Sequence, residues 1–227
     1  MRVRPVRLNG AVAWLFMVGS ACFVLGSVPA YVNATGGWVD GITYFVGSIF
    51  FTLASYAQLV QTQSPGMLDV DEVAQRRPTP VRWWRSLPHD TGWWGAITQF
   101  PGTLLFNVST FAALAHNATV EETDRHVWRP DFYGSTLFLV ASFFGLLAVR
   151  GASAVPRRIA WLNMIGSVLF MASAIASYVL STGDVVNTRV SVAGTLLGAL
   201  CFLVGAALML PAWKGAVRSA SVGLAEP

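Results

Sequence analysis

The stretch from Ile159 to Leu180, IAWLNMIGSVLFMASAIASYVL, indicates the fold class of this chain. It contains no Asp, Glu, Lys or Arg, and it is long enough to cross a hydrocarbon core as a helix, which takes about 20 apolar residues. The whole chain has the same character: of its 227 residues, 54% are hydrophobic and 11% are charged, against about 25% charged in soluble domains. This composition excludes a water-soluble fold and indicates a membrane protein.

Five more uncharged runs of similar length lie elsewhere in the chain. A charged side chain at mid-membrane costs roughly 2.5–3.5 kcal/mol, so uncharged runs of this length are typical of transmembrane helices. We therefore predict an all-α polytopic membrane protein with six transmembrane helices arranged as antiparallel hairpins. We also expect the first span to be retained, although the arginines before it resemble the start of a signal peptide. The six predicted spans are Val12–Tyr31, Gly41–Val60, Gly95–Ala115, Phe132–Val149, Ile159–Leu180 and Val190–Ala212.

The basic residues predict the orientation of the chain. With a cytoplasmic N-terminus, twelve of the fifteen Lys and Arg residues precede, follow or connect the spans on the cytoplasmic side. Arg125, Arg129 and Arg189 are the three on the other side. Because cytoplasmic loops are enriched in Lys and Arg, both termini are expected in the cytoplasm. The net charge of +4 then reflects topology, and we expect no nucleic-acid partner.

The longest polar stretch divides the predicted chain. We expect an N-terminal two-helix membrane unit at 1–60, a cytoplasmic linker with an interfacial Trp segment at 61–94, a four-helix membrane unit at 95–213 and a cytoplasmic tail at 214–227. One common bundle is the simplest arrangement of the two membrane units.

Every predicted span carries the motif Gly-Ser/Thr-x-x-Phe, with Ala199 replacing the hydroxyl residue in the last one. Helices in lipid associate through close contacts between small residues, so these glycines are predicted to pack the helices together. From their positions within the spans we expect two layers of small residues, one near each membrane face. The motif hydroxyls either bond within the bundle or line a polar path. The motif glycines are Gly19, Gly47, Gly102, Gly134, Gly166 and Gly198.

Uncharged polar side chains within the spans are candidate contacts for a ligand. Asn107, Asn163 and Gln99 carry amides that need a partner inside a membrane, and Asn107 is the deepest of the three. The spans contain no acidic residue for proton coupling and no lysine for a retinal Schiff base, which argues against a proton-coupled transporter or a rhodopsin. The chain has no recognised catalytic or phosphate-binding motif, so we expect no enzymatic activity and no cofactor.

The outer loop after the third span is the second candidate site. It contains five residues whose imidazole or carboxylate groups are potential ligands for a divalent metal, but their spacing matches no known metal motif. A solvated acidic loop is the alternative interpretation. These residues are His116, Glu121, Glu122, Asp124 and His126.

Several of these strings resemble a known group of proteins. Arg-Trp-Trp-Arg from Arg82, Gly-Thr-Leu-Leu-Phe-Asn-Val-Ser-Thr from Gly102 and Val-Trp-Arg-Pro-Asp from Val127 resemble uncharacterised actinobacterial integral membrane proteins, related to the YrhK-type two-helix membrane domain. The resemblance implies a bacterial inner (plasma) membrane location and no particular activity.

The predicted function is accordingly that of a non-enzymatic partner subunit or a binding module for a lipid or another apolar ligand. The expected partners are the lipid bilayer and either a second membrane protein or further copies of the chain. A small oligomeric channel or transporter that uses Asn107 is the first alternative. A membrane sensor that uses the acidic outer loop is the second.

Overall fold

The computed structural model describes residues 1–64, 79–115 and 119–223, with side chains described up to Leu210. The His116 site residue and part of the predicted linker lie outside the described residues. The elements in chain order are β1 Arg2–Val3, α1 Pro5–Gly26, α2 Pro29–Thr35, α3 Gly37–Gln63, β2 Thr79–Pro80, α4 Thr91–Ala112, α5 Val120–Thr123, a π-helical turn Asp124–Trp128, α6 Arg129–Ala148, α7 Ala154–Ala176 and α8 Thr188–Gly223.

The prediction of a helical membrane protein is confirmed, with five helices that meet the requirements for a span. In the part of the chain that is described, the helices long and apolar enough to cross a membrane are Pro5–Gly26, Gly37–Gln63, Val120–Ala148, Ala154–Ala176 and Thr188–Leu210. The third predicted span corresponds to α4, which has 22 residues but is less apolar than the others. Gln99, Pro101 and Asn107 account for much of this difference.

The helix boundaries differ from the predicted ones at several ends. The first helix begins at Pro5 and ends at Gly26, because Pro29 disfavours helical backbone at the residue before it and begins the separate helix α2. The last helix extends through Gly223, so the predicted tail at 214–227 begins as a continuation of α8. A short antiparallel pair of β1 and β2, with Arg2 opposite Pro80, joins the N-terminus to the segment before α4.

The six long helices form a closed ring. Their neighbour contacts run in the order α1, α3, α4, α6, α7, α8 and back to α1. Within this ring, α1 and α3, α4 and α6, and α7 and α8 form three antiparallel hairpins. The predicted two-helix and four-helix units therefore lie side by side in one ring.

Each hairpin crosses at its two motif glycines. A Cβ atom added to any one of the six would lie 3.0 to 3.2 Å from the carbonyl oxygen of the opposite glycine, in the pairs Gly19 with Gly47, Gly102 with Gly134, and Gly166 with Gly198. Since ordinary carbon contacts need about 3.5–4.0 Å, only glycine allows the backbones to approach this closely. The expectation of two layers of small residues is wrong, because the two motif glycines of each hairpin meet at the same depth.

The six motif phenylalanines fill the centre of the ring. Phe51, Phe138 and Phe202 form a nearly equilateral triangle, with ring centroids 6.3, 6.3 and 5.9 Å apart. Each of them also contacts the phenylalanine of its own hairpin partner, at 5.3, 5.0 and 5.2 Å. All six rings are buried, so an aromatic cluster closes the middle of the bundle.

Candidate functional site

A cavity of about 480 Å³ lies between this aromatic cluster and the end of the bundle at which α1 begins. All six long helices contribute to its wall. Its inner end is the triangle of Phe51, Phe138 and Phe202, with Phe16 beside it. The phenylalanine side chains fill the centre of the helix ring at one depth range. Where the inward-facing side chains are smaller, the same ring of helices leaves an open space. This volume is in the range of small-molecule sites, about 300–1,000 Å³.

Small residues create the space. Four glycines and several alanines of α4, α6, α7 and α8 line the wall. Gly95 lies against the backbone of α6, where an added Cβ would be 3.3 Å from the carbonyl oxygen of Ala141. Gly145 is different, because a Cβ added there meets no atom within 4 Å. The absence of a side chain at Gly145 therefore leaves open volume, and it is not required for a close contact between helices.

The polar part of the wall consists mainly of amides. Asn9 of α1 and Gln61 of α3 are 6% and 3% exposed, and the amide nitrogen of each has no hydrogen-bond partner among the described residues. A buried donor without an acceptor costs about 1–3 kcal/mol. The remaining polar lining residues are Gln58, Thr62, Gln99, Ser142 and Asn163.

The described part of the cavity wall is uncharged. None of the described residues that line it is Asp, Glu, Lys or Arg. Inside a helix ring, a charged ligand without an opposite charge would lose its hydration and gain no ion pair in return. The wall therefore favours a neutral guest.

The described segment before α4 is hydrogen-bonded to the end of α3. The side-chain oxygens of Gln63 and Ser64 accept hydrogen bonds from the backbone N–H groups of Arg85 and Arg82. These bonds attach the Arg-Trp-Trp-Arg string to the helix end, while Trp83 and Trp84 remain exposed. Exposed indole and guanidinium groups are typical of the membrane interface, which was the predicted place of this segment.

No family model, curated protein or solved structure matches this chain. The resemblance to actinobacterial membrane proteins and to the YrhK-type domain therefore stays a prediction.

Two of the three predicted intramembrane contacts, Gln99 and Asn163, line the cavity. Asn107 does not. It lies beside the aromatic cluster, where its Nδ2 donates a hydrogen bond of 2.9 Å to Thr52 Oγ1. It therefore connects α4 to α3 rather than facing the cavity.

The predicted outer-loop residues support local structure. Glu122 accepts a hydrogen bond from the backbone N–H of Thr119 at 2.8 Å and completes a capping box at the start of α5. Asp124 forms an ion pair of 2.8 Å with Arg129. Glu121 and His126 are exposed. Within the described ranges, which leave out His116, no three His, Cys, Asp or Glu side chains are placed to hold a metal ion.

Several motif hydroxyls bond to neighbouring helices. Ser48 of α3 lies 2.9 Å from Thr110 Oγ1 of α4, and Ser167 of α7 lies 2.7 Å from Ser142 Oγ of α6. Thr103 donates to the carbonyl oxygen of Phe100 in its own helix. The Ser48 and Ser167 bonds connect neighbouring hairpins, which agrees with the packing interpretation of the motif.

The sequence did not single out Asn9 and Gln61 as site residues. Asn9 precedes the predicted first span, which begins at Val12, and Gln61 follows the predicted second span, which ends at Val60. A usable signal was the spacing of Gln58 and Gln61, because residues three apart lie on the same face of a helix.

Proposed function

We propose that the chain is a six-span membrane protein that binds a small ligand in the cavity at the N-terminal end of its helix ring, without catalysing a reaction on it. The cavity carries this proposal, since it combines ligand-sized volume, an aromatic inner end and amide side chains from several helices. Such mixed lining is typical of binding pockets, where apolar surface supplies affinity and a few polar groups set orientation.

The sixth span in this proposal is α4. It contacts α3 on one side and α6 on the other, both of which belong to the five helices apolar enough to cross a membrane. Without α4 the ring would be open, and the polar edges of its neighbours would face lipid. Both termini are then cytoplasmic, and the cavity faces the cytoplasmic half of the membrane.

The topology is tested by accessibility labelling of single cysteines introduced at Ser86 and Thr182, in a background in which the native Cys22 and Cys201 are replaced by alanine. A membrane-impermeant maleimide added to intact cells is expected to label the position at Thr182 and not the one at Ser86. Labelling of both positions, or of Ser86 alone, would contradict six spans with a cytoplasmic N-terminus.

Binding is preferred to conduction because of the aromatic cluster. A channel needs a continuous path, whereas the six buried phenylalanines occupy the centre of the ring. Asn107, on which the channel alternative depended, bonds to Thr52. The sensor alternative loses support as well, because Glu122 and Asp124 are engaged in a helix cap and an ion pair.

The test of binding uses native mass spectrometry of the full chain released from its own membranes in a mild detergent. We expect a discrete bound mass on the wild-type protein and its loss in Gly145→Leu, whose new side chain would occupy the cavity. Gly10→Leu is the matched control, since a Cβ at Gly10 also meets no atom within 4 Å but Gly10 does not line the cavity. The same adduct on all three proteins would place the ligand elsewhere, and no adduct on the wild type would contradict a resident ligand.

A further inference from the structure

We propose that the ligand of the cavity is a neutral, flat molecule that presents carbonyl or similar uncharged acceptor oxygens, an inference that rests on the proposed binding function. The observations behind it are two unpartnered amide donors among the lining residues, the aromatic rings at the inner end of the cavity, and the lack of any charged group among the described lining residues.

The donors specify acceptor groups on the ligand. The Asn9 Nδ2 and Gln61 Nε2 atoms belong to α1 and α3, which are neighbours in the ring, and neither has an acceptor among the described side chains and backbone. An amide NH₂ group offers two protons, so a guest with carbonyl oxygens would supply the acceptors that the protein lacks. A pure hydrocarbon would leave both donors unsatisfied.

The uncharged wall specifies neutrality. The basic residues of this end of the chain, such as Arg82 and Arg85, are exposed and do not line the cavity. A carboxylate inside the ring would therefore have amides but no cation as partners, and burying such an ion is much more costly than burying a neutral carbonyl.

The aromatic lining of the cavity favours a flat ligand. Phe16, Phe51, Phe138 and Phe202 line the inner part of the cavity, and aromatic faces and edges favour a planar partner. On the wall formed by α6, a Cβ added at Gly145 would meet no atom within 4 Å, which allows a ring to approach the backbone closely.

Three small probes separate these requirements: duroquinone, which is flat, neutral and has two carbonyls; durene, the same ring without oxygen; and tetramethylbenzoate, a charged relative. Binding to the purified full chain is measured by equilibrium dialysis against protein-free micelles of the same detergent, so that partition into detergent is subtracted. We expect duroquinone to bind roughly tenfold more tightly than durene, the equivalent of two modest hydrogen bonds, and tetramethylbenzoate to bind most weakly.

The amide variants test the donors directly. Asn9→Leu and Gln61→Met, which keep a side-chain shape similar to that of the native residues, are each expected to weaken duroquinone binding by roughly three- to tenfold while durene binding stays unchanged. Asn107→Leu is the control, because its amide lies outside the cavity wall, and it should leave both probes unaffected. If an amide variant fails to fold, the comparison of duroquinone with durene on the wild type still decides the question.

The failures of the two proposals are distinguishable. Equal affinity for duroquinone and durene, both abolished by Gly145→Leu, would overturn the ligand class and keep the cavity as a binding site. Binding of no probe, or binding that Gly145→Leu does not affect, would overturn the binding function itself. Tight binding of tetramethylbenzoate would overturn the requirement for a neutral ligand.

Discussion

Replacing Gly47 by alanine is expected to destabilise the bundle, although the same substitution stabilises most helices. A Cβ at Gly47 would lie 2.8 Å from the Cβ of Cys22, 2.9 Å from a ring carbon of Phe23 and 3.1 Å from the carbonyl oxygen of Gly19. Optimal carbon contacts are about 3.5–4.0 Å, so α1 and α3 must separate by a substantial fraction of an ångström. Two of the three atoms belong to or adjoin the backbone of α1, which a side-chain rotation does not relieve.

The magnitude follows from two opposing contributions. Overpacking of a close contact costs about 1–3 kcal/mol, while alanine in place of glycine improves helix propensity by about 0.8–1.0 kcal/mol. We therefore expect Gly47→Ala to lower the free energy of unfolding by about 0–2 kcal/mol. In Gly10→Ala only the propensity contribution operates, since nothing lies within 4 Å of the added methyl group.

The assay is equilibrium unfolding in mixed micelles, with the two alanine variants compared under identical conditions. Because helix propensity is common to both, the difference between them isolates the packing cost and should be about 1–3 kcal/mol, with Gly47→Ala the less stable. Gly134→Ala should behave like Gly47→Ala, since it occupies the equivalent crossing of the second hairpin. Equal stability of Gly10→Ala and Gly47→Ala would refute the close-contact argument.

Three further substitutions test other parts of the fold by the same unfolding measurement. Phe51→Ala removes a ring from the central triangle and should cost about 3–5 kcal/mol, whereas Phe143→Ala, at an exposed ring, should cost far less; similar losses would argue against the aromatic core. Asp90→Ala removes the side-chain cap of α4 and should cost about 1 kcal/mol, so a neutral effect would contradict the cap. Trp128→Phe removes the 2.8 Å hydrogen bond from the indole Nε1 to the carbonyl oxygen of Ala174 and should cost about 0.5–1.5 kcal/mol. Unchanged stability of this variant would contradict the hydrogen bond.

The residues of the candidate site could be predicted only in part from the sequence. Gln99 and Asn163 stood out because an amide within an apolar run is conspicuous and needs a partner. Asn107 met the same criterion, yet it lies eight residues after Gln99, about 12 Å further along the helix, and therefore beside the aromatic cluster instead of the cavity. Depth along a helix and the identity of the neighbouring helix decide between these outcomes, and neither is contained in a local pattern.

The helical membrane class and the packing role of the motif glycines could be predicted from the sequence, because apolar length and the spacing of small residues are local features of the chain. The meeting of the two glycines of each hairpin at one depth could not, because it depends on how antiparallel helices are placed against each other. The return of α8 to α1, which closes the ring, is apparent only in the folded structure. Ring closure brings Asn9, Gln61, Gln99 and Asn163, which are far apart in the chain, to one cavity. It also brings the six phenylalanines together around the common centre, because each hairpin crosses at its motif glycines and each phenylalanine follows its glycine by one helical turn.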